Sequence, residues 1–143
     1  MNEKLDISPL KKAYTSFLNS LELAERLESE DFDKIFYIRE GARASVIQHF
    51  EYTYELSWKM MKKFIKMDEG KEDSLTMKGF YRHAGEKGLI DDFNKWMEFH
   101  KARNKTSHTY DEDVAEEVYD FAKKFPNYVE KLILVLEKAI KDL

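Results

Sequence analysis

The chain has 143 residues, which is the size of a single domain with one hydrophobic core. Its 24 Lys and Arg residues against 28 Asp and Glu residues give a net charge of −4, which argues against a protein that coats nucleic acid by bulk charge. The absence of cysteine excludes disulfides, thiol catalysis and every zinc site that needs thiolate. We therefore expect one globular domain over residues 1–143.

Neither a membrane span nor a phosphate-binding loop is indicated by the sequence. The longest aliphatic run covers only residues 132–136, which is too short to span a bilayer. The N-terminus lacks the basic-then-apolar order of a signal peptide, so we expect a cytoplasmic protein. No G-x-G-x-x-G or G-x-x-x-x-G-K-[ST] motif occurs.

The first predicted helix begins at Ser8, which can serve as N-cap, with Pro9 at the first helical position. Apolar residues then recur at three- and four-residue spacing, which is typical of one buried helical stripe. These are Leu10, Ala13, Tyr14, Phe17, Leu21 and Ala24. The acidic cluster at 28–33 interrupts the stripe and predicts the end of the helix.

The second predicted helix is long, from about Lys34 to about Lys66. Gly41 marks either a kink or the true start, and Gly70 is a plausible left-handed residue just beyond the end. A run of apolar residues indicates its buried face. They are Ile47, Phe50, Tyr54, Met61 and Ile65.

Two shorter helices are predicted next. Ser74 or Thr76 can cap the third, which covers 77–87 and is stopped by Gly88. Asp91 can cap the fourth, whose apolar face carries His100 as a hydrogen-bonded core residue.

Asp111 or Asp113 opens a fifth helix, in which Pro126 either kinks the helix or starts a new one. Short connections favour antiparallel neighbours. The predicted fold is therefore an all-α, up-and-down bundle of four main helices with an additional short helix.

One segment combines residues suited to cleaving a phosphodiester without a metal: Arg103, Asn104, His108 and Tyr110. If the helix continues through it, Asn104 and His108 share a face and Arg103 nearly superimposes on Tyr110, whereas Arg103 and His108 lie about 140° apart. One copy thus spreads Arg and His around the helix, and two copies facing each other bring both pairs into one cleft.

In such a cleft each residue type has a chemical task. His108 exchanges a proton near neutral pH, and Arg103 binds phosphate oxygens as charge builds. Tyr110 and Asn104 supply orienting hydrogen bonds. The alternative on spacing alone is a polar helix end, where His and Lys satisfy the last carbonyls.

A polar stripe on the second helix is the next candidate: Gln48, Glu51, Glu55 and Lys59. It is either a solvated face or a set of groups that orients Arg103 or His108 from a neighbouring helix. The stripe lacks the repeated Glu-x-x-His pairs of di-iron bundles, so we predict no metal core.

A basic face follows the polar stripe at the end of the same helix: Lys59, Lys62, Lys63 and Lys66. It either compensates the helix dipole or contacts RNA phosphate. Arg43 and His49 form a second Arg–His pair, which we discount because it lies in a strongly apolar stretch.

Three blocks in this order resemble one protein group. The blocks are Gln48-x-Phe50-Glu51-x-x-x-Glu55-Leu56-x-Trp58-Lys59, then Gly88-Leu89-Ile90 with Trp96, then Arg103-Asn104-x-x-x-His108-x-Tyr110-Asp111. The sequence resembles the nucleotidyltransferase-substrate-binding branch of the HEPN superfamily over about residues 8–140.

This resemblance implies an all-α bundle that forms a homodimer and has a separately encoded minimal nucleotidyltransferase as partner. Related HEPN proteins are metal-independent endoribonucleases whose motif Arg and His, here Arg103 and His108, meet at the dimer interface. In some toxin–antitoxin pairs the nucleotidyltransferase neutralises the toxin by transferring AMP to the motif Tyr, here Tyr110.

Two function hypotheses follow from the resemblance. The first is a toxin-like endoribonuclease with no cofactor, in which Asn104 orients the site formed by Arg103 and His108. The second is a non-catalytic subunit that binds a substrate or nucleotide for the nucleotidyltransferase. A plain helical interaction protein with a vestigial motif is a third possibility.

Overall fold

The computed structural model of the protein describes residues 4–28, 36–71 and 76–143, without the side chain at 37. All regular structure in these ranges is helical, which confirms the predicted all-α bundle. The helices are α1 (Ser8–Glu28), α2 (Phe36–Glu69), α3 (Met77–Glu86), α4 (Phe93–Asn104), α5 (Glu112–Lys124) and α6 (Pro126–Lys141), with a 3₁₀ turn at Thr106–His108. None of these helices combines the length and apolar character needed to cross a membrane.

Helix α1 packs along α2 and buries four residues of the predicted apolar stripe, whereas Ala13 and Tyr14 are only partly buried. The four are Leu10, Phe17, Leu21 and Ala24. Its start differs from the prediction in one respect. Ser8 is the first helical residue and not the N-cap, because the Asp6 side chain accepts a hydrogen bond from the Ser8 backbone nitrogen at 2.9 Å. Most of the acidic segment at 28–33 lies outside the described residues.

Helix α2 passes through Gly41 and ends at Glu69, three residues beyond the predicted end. The prediction of its start near Lys34 lies outside the described residues. Gly70 adopts φ 74°, the left-handed conformation that ends a helix without a steric penalty for glycine. All five predicted stripe residues of α2 are buried, so this helix forms the central wall of the core.

The short helix α3 and the next helix α4 have clear terminal signals. Thr76 caps α3, since its hydroxyl accepts from the Gly79 nitrogen at 3.1 Å; the alternative cap Ser74 lies outside the described residues. Gly88 stops α3 at φ 77°. The predicted Asp91 cap of α4 is wrong by one residue.

Asp92 caps α4, because its carboxylate accepts from the Lys95 nitrogen at 3.1 Å. Leu89 and Ile90 are buried and anchor the connection between α3 and α4, which leaves Asp91 outside the helix. The Asp91 carboxylate lies 3.7 Å from Lys131 of α6.

Pro126 begins a new helix, which settles the alternative that the sequence left open. Asp111 caps α5 by accepting from the nitrogens of the next turn. At the junction of α5 and α6, Phe125 is fully buried, with ring centroids 4.8 Å from Phe99 and 5.3 Å from Phe50. This aromatic cluster holds α2, α4 and the α5–α6 junction together, and thereby fixes the position of α4 against α2.

Candidate functional site

The segment that carries the Arg–His motif is broken into two elements. Helix α4 ends at Asn104, and Thr106–His108 form a 3₁₀ turn, here called the motif turn. The Thr106 hydroxyl donates to the Arg103 carbonyl at 2.8 Å, and the Thr109 hydroxyl donates to the Thr106 carbonyl at 3.1 Å. Hydroxyls that satisfy nearby carbonyls compete with the α-helical pattern, so the helix stops within the motif.

The condition for the predicted face geometry, one continuous helix through the motif, is therefore not met. Asn104 and His108 do not share a helical face, and Arg103 and Tyr110 are not stacked at a seven-residue spacing. Arg103 instead belongs to the last turn of α4, whereas His108 closes the motif turn, which packs against α2, α4 and α5.

Arg103 is held against α2 by Glu55. The guanidinium Nε lies 2.6 Å from Oε1 of Glu55, and the two side chains are only 34% and 24% exposed. The buried Nε–H is not directed at this oxygen, so the contact is an ion pair and not an aligned hydrogen bond. The other carboxylate oxygen of Glu55 accepts from the Trp58 indole nitrogen at 3.3 Å and lies 3.7 Å from the Lys59 ammonium. Glu55 thus orients the guanidinium of Arg103 from the neighbouring helix.

Asn104 is connected to the core by a chain of polar side chains. Its amide nitrogen lies 3.3 Å from Nε2 of His100, one helical turn earlier. Nδ1 of His100 lies 2.8 Å from the Tyr54 hydroxyl, which is 2.6 Å from the Tyr81 hydroxyl. His100 is hydrogen-bonded, as the sequence predicted. The four-residue spacing of His100 and Asn104 was the only feature of the sequence that indicated this chain of contacts.

The electrostatic environment keeps the inner members of this chain neutral. Burial, followed by the positive charge of Arg103, lowers the pKa of His100. Burial raises the pKa of Tyr54 and raises that of Tyr81 well above its usual range. Both phenols therefore remain protonated, and His100 is an uncharged imidazole at neutral pH.

His108 and Tyr110 lie on the exposed side of the segment. Tyr110 is 87% exposed, and His108 is exposed beside it. Their rings meet edge to face with centroids 6.1 Å apart. Neither side chain makes a hydrogen bond or an ion pair within the described residues. Both side chains are accessible to a macromolecule.

Gln48 and Glu51 of the α2 stripe make no hydrogen bond or ion pair with the motif side chains in the described part of the chain. Gln48 is exposed and donates to the Tyr52 hydroxyl at 2.9 Å. Glu51 is partly buried, and its carboxylate has no hydrogen bond or ion pair with the rest of the described chain. Of the stripe, the structure brings only Glu55 to the motif.

The second Arg–His pair is structural. Arg43 makes two contacts with the Glu112 carboxylate, at 2.7 and 2.9 Å, and a third with Glu40 at 3.0 Å. These contacts join α2 to the first turn of α5 and raise the pKa of Arg43, chiefly through Glu112. His49 lies 2.7 Å from the Ser45 carbonyl on its own helix. Arg43 and His49 therefore bond to different neighbours and make no hydrogen bond with each other in the described part of the chain.

The basic face at the end of α2 is exposed and begins next to the Arg103–Glu55 pair. Lys59 is within ion-pair distance of Glu55, and the Lys62 ammonium lies 5.8 Å from the Trp58 ring centroid. Within the ranges that the structure covers, no group of three His, Asp or Glu side chains is placed to hold a metal ion.

The fold and site define a small all-α bundle with an Arg-Asn-x-x-x-His-x-Tyr segment at the end of one helix. Residues 5–138 match the family described as nucleotidyltransferase substrate binding protein like. The chain belongs to this family. The family assignment expected from the three sequence blocks is thereby confirmed.

Three relatives illustrate the similarity. A Haemophilus influenzae protein named probable ribonuclease HepT is 36% identical over 123 residues, which cover 83% of each chain. A solved Haemophilus influenzae structure, described as revealing the fold of a substrate binding domain of a nucleotidyltransferase, is 30% identical with a TM-score of 0.81 over 92% of this chain and 99% of that one. A Thermus thermophilus structure is 28% identical with a TM-score of 0.65, covering 87% and 98% of the two chains.

Proposed function

We propose that the protein is a metal-independent endoribonuclease and the toxin of a toxin–antitoxin pair whose other member is a minimal nucleotidyltransferase. The observation that supports this most directly is that Arg103 and His108 have different surroundings. Arg103 is clamped by Glu55, whereas His108 is exposed and free to approach a substrate. The similarity to a protein named probable ribonuclease HepT supports the same reaction.

The proposed reaction uses the 2′-hydroxyl of RNA as the nucleophile. His108 takes its proton, the 2′-oxygen attacks the adjacent phosphorus, and the bond to the 5′-oxygen breaks. The 5′-oxygen leaves as a hydroxyl by taking that proton back from the His108 imidazolium, so the products are a 2′,3′-cyclic phosphate and a 5′-hydroxyl, and His108 is neutral again. Arg103 stabilises the negative charge that develops on the phosphoryl oxygens. Asn104 adds a neutral hydrogen-bonding group beside Arg103.

A complete site needs two copies of the chain in this proposal. The end of α4 separates Arg103 from His108, so that one faces α2 and the other faces solvent. A homodimer that joins two motif turns combines Arg103 and His108 of one protomer with those of the other in one cleft. Gln48 and Glu51 on α2 then lie near the rim of that cleft and contact the RNA.

We further propose that the partner nucleotidyltransferase silences this site by modifying Tyr110. The phenol oxygen attacks the α-phosphorus of ATP, pyrophosphate leaves, and the phenolic proton is lost. The 87% exposure of Tyr110 makes the phenol accessible to a second enzyme. The added phosphate and nucleoside next to His108 would block RNA and bind the cation of Arg103.

Cleavage by the purified chain in EDTA tests the first proposal. We expect the wild type to cut RNA in the presence of EDTA, and Arg103→Ala and His108→Ala each to reduce the rate by at least about 100-fold. His49→Ala is a matched control on α2. Equal cleavage by the wild type and both motif variants would contradict the ribonuclease.

The second candidate function is a non-catalytic subunit that binds a substrate or nucleotide for the nucleotidyltransferase. The relative described by the fold of a substrate binding domain favours this reading. It predicts that the chain does not cut RNA and that it binds a nucleotide only in complex with the partner. RNA cleavage by the purified chain in EDTA distinguishes the two functions, because only the ribonuclease cuts RNA in the absence of the partner.

A further inference from the structure

A buried chain of hydrogen-bonding groups leads from the core to the candidate site. Tyr81 and Tyr54 are fully buried, His100 is half-buried and Asn104 is exposed. The contacts run from Tyr81 to Tyr54 at 2.6 Å, to Nδ1 of His100 at 2.8 Å, and from Nε2 of His100 to the Asn104 amide at 3.3 Å. The proposed mechanism uses only the last of these residues.

The direction of the hydrogen bonds follows from the buried end. The only polar side chain in contact with the Tyr81 hydroxyl in the described ranges is Tyr54, so Tyr81 satisfies its proton only by donating it to the Tyr54 oxygen. Tyr54 then has one proton left to give, and Nδ1 of His100 is its other partner. The reverse order would leave the Tyr81 proton buried without an acceptor.

This direction determines the tautomer of His100. A neutral imidazole carries one proton, so accepting at Nδ1 requires the proton to be on Nε2. Burial and the Arg103 charge lower the pKa of His100, which keeps the ring neutral. An Nε2–H group needs an acceptor, and Oδ1 is the only acceptor atom of the Asn104 amide. In the structure the amide nitrogen of Asn104 lies next to Nε2 of His100, which cannot accept from it in this tautomer. Rotating the amide by 180° exchanges its oxygen and nitrogen without changing its shape, and places Oδ1 against His100 and the NH₂ group toward solvent.

We propose that His100 is a positioning residue, fixed as its Nε2–H tautomer by Tyr54 and Tyr81, which turns the Asn104 NH₂ group outward beside Arg103. Its catalytic consequence rests on the proposed ribonuclease function. Arg103 and Asn104 then both offer N–H donors to the same phosphodiester, and only Arg103 carries a charge. Donors fixed in advance at a developing oxyanion are more effective than donors that must reorient.

The tautomer can be observed without any activity. In protein labelled with ¹⁵N-histidine and held at about pH 8, where an ordinary imidazole is neutral, long-range ¹H–¹⁵N spectra distinguish protonated from unprotonated ring nitrogens. We expect the His100 signals, identified by their loss in His100→Gln, to show a bare Nδ1 and a protonated Nε2. Tyr81→Phe should produce a mixture of tautomers, whereas Tyr119→Phe, a buried phenol bonded to Glu28 elsewhere in the bundle, should not. A protonated Nδ1 in the wild type would overturn the proposal.

Asn104→Asp removes the NH₂ donor of the side chain and keeps an oxygen acceptor. Aspartate still accepts from Nε2–H but has no donor to present, so we expect the tautomer to remain while RNA cleavage falls about tenfold, less than the ~100-fold cost of a gross misplacement. Tyr81→Phe should lower kcat by a few-fold with KM nearly unchanged. A switch of tautomer in Asn104→Asp, or an unchanged kcat in Tyr81→Phe, contradicts the proposal.

The two proposals fail in different ways. An Nε2–H tautomer in a wild-type chain that cuts no RNA would refute the ribonuclease and leave the orientation of Asn104 standing. An Nδ1–H tautomer in a chain that cuts RNA through Arg103 and His108 would refute the orientation alone.

Discussion

The clamp on Arg103 gives a direct test of how the site is built, through the substitution Glu55→Gln. Glutamine keeps the size of the side chain and can still accept from Trp58, but it removes the negative charge that lies 2.6 Å from Nε of Arg103. If Glu55 positions Arg103, this change should lower both the stability of the fold and the rate of RNA cleavage.

The size of the stability effect follows from the exposure of the pair. A fully exposed ion pair contributes about 0–1 kcal/mol, and breaking a fully buried one costs about 3–5 kcal/mol. With side chains 34% and 24% exposed, Arg103 and Glu55 lie between these limits. We expect Glu55→Gln to lower the free energy of unfolding by about 1–2 kcal/mol, a fall in Tm of about 5 °C.

The expected effect on catalysis is a loss of about tenfold in kcat, because the guanidinium remains but is no longer fixed, against at least ~100-fold for Arg103→Ala. Cleavage of RNA in EDTA and thermal unfolding by circular dichroism measure the two effects. Glu137→Gln removes an ion pair with Lys11, 3.0 Å long and far from the motif in the chain, and should leave cleavage unchanged. If Glu55→Gln loses stability but cuts RNA at the wild-type kcat while Arg103→Ala is inactive, Glu55 does not position Arg103.

Three further predictions concern modification, pH and backbone conformation. Mass spectrometry after incubation with the nucleotidyltransferase and ATP should find AMP on the wild type and on Tyr52→Phe, a half-exposed phenol, but not on Tyr110→Phe; labelling of Tyr110→Phe would show that another residue is the acceptor. Because the pKa of His100 in the folded protein is lowered from 6.5, the unfolded chain binds more protons below that pH. The free energy of unfolding should therefore fall as the pH drops from about 6.5 toward 5, and His100→Gln should reduce this pH dependence in urea titrations. Gly88→Ala should lower the free energy of unfolding by about 1–2 kcal/mol because φ at Gly88 is 77°. Gly85→Ala, inside α3 with open space around the added methyl group, should raise it by up to about 1 kcal/mol, and equal effects of the two substitutions in urea unfolding would refute the backbone argument.

The helices were predictable wherever one physical signal dominated. The apolar spacing of α2 and the left-handed conformation at Gly70 and Gly88 are local properties of the sequence, and the structure confirms them. The start of α4 was misplaced by one residue because Asp91 and Asp92 have the same capping chemistry. Only the burial of the preceding residues decides between them, and burial is a property of the whole fold.

The candidate site was predictable in its composition but not in its geometry. The sequence placed Glu55 on a polar stripe that was able to orient Arg103, and the structure brings these two side chains together. It gave no sign that Gln48 and Glu51 of the same stripe stay apart from the motif. Nor did it indicate the contacts of Tyr54 with Tyr81 and with His100, because they join residues 27 and 46 positions apart in the chain.

The break in the motif helix is the feature with the greatest consequence for function, because the sequence left open whether the helix continues through the motif. A helix through the motif would hold Arg103 and His108 on different sides of one cylinder. Because α4 ends at Asn104, the two side chains are instead positioned by contacts with different parts of the bundle. Arg103 is positioned by α2, and His108 is positioned by a turn that packs on three helices. Glu55 is an α2 residue whose side chain pairs with Arg103 and not with His108, so its substitution should alter the phosphate-binding half of the site without moving the proton-transferring half. The double variant Glu55→Gln/His108→Ala tests this independence, because two separately supported halves give losses of transition-state stabilisation that add in the double variant, whereas a loss smaller than the sum would show that the halves are coupled.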